Sequence, residues 1–249
     1  MKLGDIMKRD RRSFLKAIGL IPAGLSLHGM PLAVRAASAV EGKLKIGIVG
    51  SGRVGGTLGA VWAKAGHEVM LSSRDIEHDR SLAAKIGPNA YAGTPREAAA
   101  FGDVVMISVP YRALPEVSKD LADRIRGKVV IDTCNPVVGR DGEIASWARE
   151  RGAGLASAEL LPGARIVRAF NAISYTQMGL AHERPGRVGM PIAGDDEQAI
   201  VLASRLVRDI GFEPVLIGGL AMGKFLMPGT PLAGERAPEE IRKIAATLH

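Results

Sequence analysis

The sequence predicts a doubly wound α/β fold, a Rossmann-type domain with a mainly parallel sheet and a short helical C-terminal extension. Three observations carry this. The stretch Lys43 to Arg74 reads as strand, glycine turn, helix and second strand. Short apolar runs then alternate with helical periods to the end of the chain. Small, amide or proline residues close successive runs.

Leu44, Ile46, Ile48 and Val49 form an apolar run short enough for a buried parallel strand. Val54 to Ala65 follows with apolar and small residues at helical spacing. Between them lies Gly50-x-Gly52-x-x-Gly55. In a chain of 31 glycines that pattern is weak alone, and its flanking elements give it meaning. Gly50 permits the tight turn, Gly52 lets the backbone approach a pyrophosphate, and Gly55 lets the helix pack closely on the strand. The phosphates then rest on the free N–H groups of the helix start.

The end of the second strand indicates which nucleotide. An NAD site usually places Asp or Glu about 20 residues beyond the glycines, whereas a 2′-phosphate needs donors and positive charge there. This chain has Ser72-Ser73-Arg74, two hydroxyls and a guanidinium whose planar fork suits a phosphate. NADP(H) is therefore expected over NAD(H). Asp75 and Glu77 are expected to face solvent near the next helix start, and His78 assists a phosphate only when protonated.

A short third strand is expected at Ala90 to Ala92. Further strands are expected at Asp103 to Val109, Lys128 to Thr133, Arg165 to Phe170, Gly189 to Ala193 and Glu213 to Ile217. Helices are expected at Thr94 to Phe101, Pro115 to Arg124, Glu143 to Arg151, Ser174 to Leu180, Glu197 to Ile210 and Pro238 to Thr247. Ligands of such a sheet lie along the carboxyl ends of its strands. The fourth strand closes on Ser108-Val109-Pro110, the fifth on Cys134-Asn135-Pro136, the sixth on Phe170-Asn171. Val109 and Pro110 suit the wall of a flat nicotinamide, and Asn135 and Asn171 suit its carboxamide or ribose. Asn and Pro also end strands on their own account, so a purely structural role stands beside the functional one.

Residues 1–39 read as a leader. Arg11-Arg12-Ser13-Phe14-Leu15-Lys16 resembles a twin-arginine export signal, followed by the apolar run Ala17 to Leu27 and a small-residue cleavage site, Ala37-Ser38-Ala39. The expected partner of this segment is the twin-arginine export machinery, and the expected location is periplasmic or extracytoplasmic. Residues 40–249 then form one oxidoreductase domain whose nucleotide-binding core spans about 44–136. The leader holds seven Lys or Arg and two Asp or Glu, so without it the formal charge falls from +7 to +2. Aromatics are sparse and no basic stripe remains, which argues against a nucleic-acid partner. Cys134 is the single cysteine and reads as a small buried filler. His67, His78, His182 and His249 are scattered without ligand spacing, so no metal site is expected.

Seven segments, GIVGSGRVGGTLG, GHEVMLSSR, DVVMISVP, KVVIDTCNP, SAELLPGARIVRAFNAIS, MPIAGDDEQA and GFEPVLIGGL, run from about Lys45 to Leu220. With them the chain resembles the NADPH-dependent reductases of the 5-deazaflavin coenzyme, and also the oxidoreductase domain of the six-transmembrane metalloreductases. The resemblance implies an NADP(H) cofactor and a flavin or deazaflavin as second substrate. It assigns Ser51, Gly52, Arg53 and Val54 to the pyrophosphate turn, and Ser73 with Arg74 to the 2′-phosphate. Val109 and Pro110 fall beside the nicotinamide, and Asn135, Pro136, Phe170 and Asn171 line the cleft. His78 stands where members of this family often carry Lys or Arg.

Hydride transfer between stacked rings asks mainly for positioning in a dry cleft, so no dedicated catalytic acid or base is expected. Tyr175 is the proton-donor candidate, with packing on the cleft as its plainer role. Lys224 reads as a solvated surface lysine or a contact to an acidic acceptor. Two other readings remain at this level: a dehydrogenase or reductase of a small metabolite, and a non-catalytic NADP(H)-binding redox sensor. The partner expected in either enzyme case is a small-molecule redox acceptor, and a homodimer is compatible with the sequence.

Overall fold

A computed structural model describes residues 42–248, and the leader expected over residues 1–39 lies outside them. The first half follows the expected winding: β1 (Lys45–Val49), α1 (Arg53–Lys64), β2 (Glu68–Ser72), α2 (Ile76–Ile86), β3 (Ala90–Ala92), α3 (Pro95–Phe101) and β4 (Val104–Ile107). Next come α4 (Leu114–Ile125), β5 (Val129–Asp132), α5 (Val138–Asp141), α6 (Glu143–Arg151), α7 (Ala153–Leu160) and β6 (Arg165–Arg168). The chain continues through α8 (Tyr175–Met178), β7 (Val188–Gly194), α9 (Glu197–Asp209), β8 (Phe212–Leu216) and α10 (Pro238–Ala245).

The eight strands form one sheet in the order β3-β2-β1-β4-β5-β6-β7-β8. β1 to β6 are parallel, with Val49 opposite Ser72 on one side and Ile107 on the other. β7 then runs antiparallel to β6, and β8 follows β7 in parallel. Hence only β1 to β6 bring their carboxyl ends to one edge. The strand order reverses between β1 and β4, which opens a crevice at that edge.

Side chains alternate across the strands and divide the core into two layers. Ile46, Ile48, Val104, Met106 and Ile131 pack with Leu58 and Trp62 of α1 and Leu206 and Val207 of α9. Val105, Ile107 and Val130 face the other way, onto Leu114, Leu121 and Ile125 of α4 and Ala156 of α7. The Trp62 indole N–H donates to the Leu206 carbonyl at 2.9 Å, so α1 and α9 are joined by a satisfied polar contact.

Two departures from the expected elements have local causes. The helix expected over Ser174 to Leu180 is a single turn, Tyr175–Met178, capped by the Ser174 side chain and ended at Gly179. The helix Ala153–Leu160 was not expected. Gly152, at φ 89°, separates it from α6, and its small apolar composition shows no amphipathic period.

Candidate functional site

The glycine turn is held to β2 by its own backbone: the N–H groups of Gly50 and Ser51 both donate to the Ser72 carbonyl, at 2.9 and 3.0 Å. Gly50 has φ 104°, and a Cβ there would lie 2.2 Å from the Ser108 carbonyl oxygen at the end of β4. A Cβ on Gly55 would lie 2.0 Å from the Gly50 carbonyl, so this glycine sets how closely α1 approaches the turn.

Gly52 differs from both. Its φ is −65°, and a Cβ would meet no protein atom within 4 Å. It sits at the start of α1, where no side chain caps the helix and no acid occupies the first turn. By contrast α2 is capped by Asp75, α3 by Thr94 in a capping box with Glu97, and α9 by Asp196. The first N–H groups of α1 have no intrahelical acceptor and point where the protein leaves space.

A cavity of about 440 Å³ opens there. One wall is Val49, Gly50, Ser51 and Gly52, a second is Ser73 and Arg74, and a third is Ser108, Val109 and Pro110. The remainder is Pro95, Arg112, Ala113, and Glu116, Val117, Asp120 and Leu121 of α4. Arg74 is exposed and makes no hydrogen bond or ion pair among the described residues. Arg112 is directed elsewhere, donating to the Arg140 carbonyl at 2.6 Å and reaching Asp141 at 3.5 Å. Burial of Asp141 pushes its pKa up, but the bonds from Arg140 and from the Val137 N–H outweigh this and hold it below the ordinary carboxylate value.

Of the serines expected at the phosphates, Ser72 needs correction. Ser72 is buried and its hydroxyl donates to the Ile48 carbonyl at 2.7 Å. The hydroxyls of Ser51 and Ser73 both converge on Asp79, a fully buried carboxylate on α2, the Ser73 bond being 2.9 Å. Ser73 also accepts the Asp75 N–H at 3.1 Å. Ser51 and Ser73 thus line the cavity while their hydroxyls are bonded to groups of the fold, Ser73 also lying 3.1 Å from the Asp75 carbonyl. His78 is exposed and its N–H serves the Asp75 cap.

At the ends of β5 and β6 the polar groups bond mainly to one another. Arg168 and Asp132, each 0% exposed, form an ion pair at 2.5 Å. Arg168 also donates to the Cys134 carbonyl at 3.1 Å and to Asn135 Oδ1 at 3.4 Å. Asn135 Nδ2 donates to the Asn171 carbonyl at 2.7 Å. Pro136 is buried and its carbonyl accepts from Arg149 at 3.3 Å. Phe170 is corrected from a cleft residue to a core one: it is 2% exposed, and its ring packs edge-on with Trp62 and Phe212. It is the non-glycine residue with positive φ, 66°, among the described residues. That backbone delivers the next residue, Asn171, whose buried Oδ1 has no hydrogen-bond partner.

Burial pushes the Cys134 thiol well up, consistent with an inert filler, and likewise raises Tyr111. Tyr175 is half-buried with the Arg53 guanidinium 5.6 Å from its ring centroid, and Lys224 is exposed over the Phe225 ring. Among the described residues no cluster of His, Cys, Asp or Glu has metal-binding geometry. The wall formed by α4 was not foreseen. The apolar period of that helix is legible, but nothing in its spacing says that it borders the turn.

A reversed strand order at β1 and β4, with the uncapped glycine turn opening into a cavity at that point, places the chain in the Rossmann class of dinucleotide-binding folds. Residues 45–136 match the family described as NADP oxidoreductase coenzyme F420-dependent. The F420-dependent NADP reductase of Methanothermobacter thermautotrophicus is 31% identical over 206 residues, covering 76% of this chain and 87% of that protein. The chain belongs to this family. The metalloreductase STEAP3 of Rattus norvegicus is 29% identical over 180 residues, 72% of this chain but 35% of the relative. Among solved structures, a hypothetical protein of Sinorhizobium meliloti superposes with a TM-score of 0.66 at 23% identity, covering 79% of this chain and 96% of its own. A putative F420-dependent NADP reductase from Arthrobacter gives 0.62 at 20% identity, over 73% and 87%. At these identities the structural likeness speaks for the fold.

Proposed function

We propose that this chain, an NADP-dependent oxidoreductase by family, exchanges a hydride between NADPH and a ring acceptor of the flavin or 5-deazaflavin type. The observation that carries the nucleotide site is Gly52, glycine without any protein atom to demand it, at the uncapped start of α1. The N–H groups of Arg53, Val54 and Gly55 hold the pyrophosphate, with the helix dipole favouring its charge. Arg74 holds the 2′-phosphate. Val109 and Pro110 wall the nicotinamide. The orphaned Asn171 Oδ1 accepts from its carboxamide, because a buried acceptor left unpaired costs about 1–3 kcal/mol that a ligand N–H recovers. When bound, NADPH supplies the hydride. The chain contributes orientation and exclusion of water.

The test is a screen of the purified protein for NADPH oxidation with free flavins, a deazaflavin, ferric chelates and small carbonyl compounds. Turnover with ring acceptors is expected. Turnover confined to carbonyl compounds would replace the acceptor reading, and NADPH binding without turnover would leave a sensor.

The leader supports export by the twin-arginine route. Because that route carries folded proteins, we propose that the enzyme leaves the cytoplasm with its cofactor bound. A ligand at a thousand times its Kd stabilises a fold by about 4 kcal/mol. Changing Arg11 and Arg12 to Lys is expected to retain the protein in the cytoplasm, and exported wild-type protein to carry NADP(H) through desalting. Cytoplasmic wild-type protein with its leader intact would end this reading.

A further inference from the structure

We infer that Asp79 is a specificity-determining residue that acts through Ser51 and Ser73 and tempers the preference for a 2′-phosphorylated nucleotide. The inference rests on the nucleotide reading above.

Asp79 lies one turn inside α2 and is fully buried beneath the turn and the Ser73-Arg74 corner. Its two oxygens receive different elements: Oδ1 takes the Ser51 hydroxyl from the glycine turn, and Oδ2 takes the Ser73 hydroxyl at 2.9 Å. No ion pair to Asp79 is present among the described residues.

An ionised carboxylate accepts and never donates. A serine hydroxyl has one proton. Ser51 directs its proton at Asp79, and Ser73 has Asp79 at 2.9 Å and the Asp75 carbonyl at 3.1 Å as acceptors, so both protons are engaged within the fold and neither is left to give a phosphate. The serine pair that reads from sequence as phosphate donors is thus turned inward. The 2′-phosphate is left to Arg74, whose guanidinium has no partner among the described residues. The carboxylate also places negative charge directly behind the corner where that phosphate must sit, while NADH lacks the group that would feel it.

An amide at position 79 reverses the arrangement. Its Oδ1 still accepts one hydroxyl, but its Nδ2 donates to the other, which then becomes an acceptor there and has its own proton free. With the amide nitrogen toward Ser73, that proton can go to the Asp75 carbonyl at 3.1 Å or to the 2′-phosphate, and the charged acceptor makes the stronger bond. Asp79→Asn is nearly isosteric, keeps two bonds to the serines and removes the charge. It is expected to raise the ratio of NADPH to NADH affinity by roughly tenfold, the effect of one hydrogen bond to a charged group.

The experiment is titration of NADPH and NADH, by fluorescence or calorimetry, into the wild-type protein, Asp79→Asn, and Asp79→Asn with Ser73→Ala. The ratio is expected to rise in the first variant and to fall toward the wild-type value in the second, where the freed hydroxyl is gone and only the effect of the removed charge remains. A merely structural Asp79 would weaken both nucleotides together. An unchanged or lowered ratio in folded Asp79→Asn overturns the inference while leaving the nucleotide site standing. Failure of either nucleotide to bind the wild-type protein overturns both. Should Asp79→Asn not fold, Ser73→Ala alone decides: the inference expects less than a twofold change in the ratio, and a tenfold fall overturns it.

Discussion

The two halves of the strand-end edge treat their polar groups in opposite ways. At the ends of β1, β2 and β4 the fold leaves donors unpaired and accessible: the helix start at Gly52 is uncapped and Arg74 has no partner among the described residues. At the ends of β5 and β6 the polar groups are bonded inward, Arg168 to Asp132, Cys134 and Asn135, and Asn135 to Asn171. Similar polar residues at similar topological positions are thus left accessible in one half and bonded inward in the other. What separates them is whether buried neighbours have already claimed their hydrogen bonds. Asn171 Oδ1 and Arg168 Nε are the exceptions in the second half, among the described residues.

Breaking the scaffold half should therefore damage the fold first. Arg168→Ala leaves the Asp132 carboxylate buried without its partner, and a loss of about 3–5 kcal/mol is expected by urea denaturation. Stability close to wild type would mean that the β5 and β6 ends are not scaffold.

In the half proposed to bind the dinucleotide the same comparison reverses. Gly52→Ala fits a φ of −65° and meets no protein atom, so unfolding free energy should move by no more than about 0.5 kcal/mol. Dinucleotide binding should fall roughly tenfold to a hundredfold, because the new methyl occupies the approach of the pyrophosphate. A stable Gly52→Ala protein that binds normally would remove the turn from the site.

Arg74→Ala sharpens the contrast within that half. Loss of a charge-assisted bond worth about 1.5–3 kcal/mol should weaken NADPH roughly tenfold to a hundredfold with NADH barely altered. Equal weakening of both would make Arg74 structural.

The smallest effect lies at the opposite edge of the sheet. His67 is buried, accepts the Leu44 N–H on Nδ1 and pairs with Asp209 at 2.9 Å through Nε2. Desolvation lowers its pKa below 6.5 despite the Asp209 bond that raises it. The unfolded chain then takes up the proton first. This contribution to stability is complete above pH 6.5 and declines as pH falls from there toward the lowered folded value. His67→Gln should flatten that part of the stability profile while leaving nucleotide affinity unchanged at neutral pH.

Much of the first half was legible because its signals are local. Gly50, through its φ of 104°, and Gly55, through its contact with the Gly50 carbonyl, answer to local backbone geometry, and Arg74 follows two residues past the end of β2. Val109 and Pro110, read from the sequence as a nicotinamide wall, line the cavity, since a strand end leads directly into the crevice. The β5 and β6 ends were legible as positions but not as roles. Asn135 and Phe170 have the residue types of a cleft, yet Asn135 is held by Asn171 and Arg168 while Phe170 fills the space beside Trp62.

The sequence by itself determined the winding of β1 to β6 and the turn that opens the site, because apolar period, glycine placement and strand length act over neighbouring residues. Only the tertiary structure decided the reversal of β7 and β8, the inward turn of Ser51 and Ser73 onto Asp79, and the pairing of Arg168 with Asp132 across 36 positions. A side chain's function there depends on which distant group shares its buried volume, and a hydroxyl proton or a guanidinium fork, once directed at a buried carboxylate, is no longer available to a ligand.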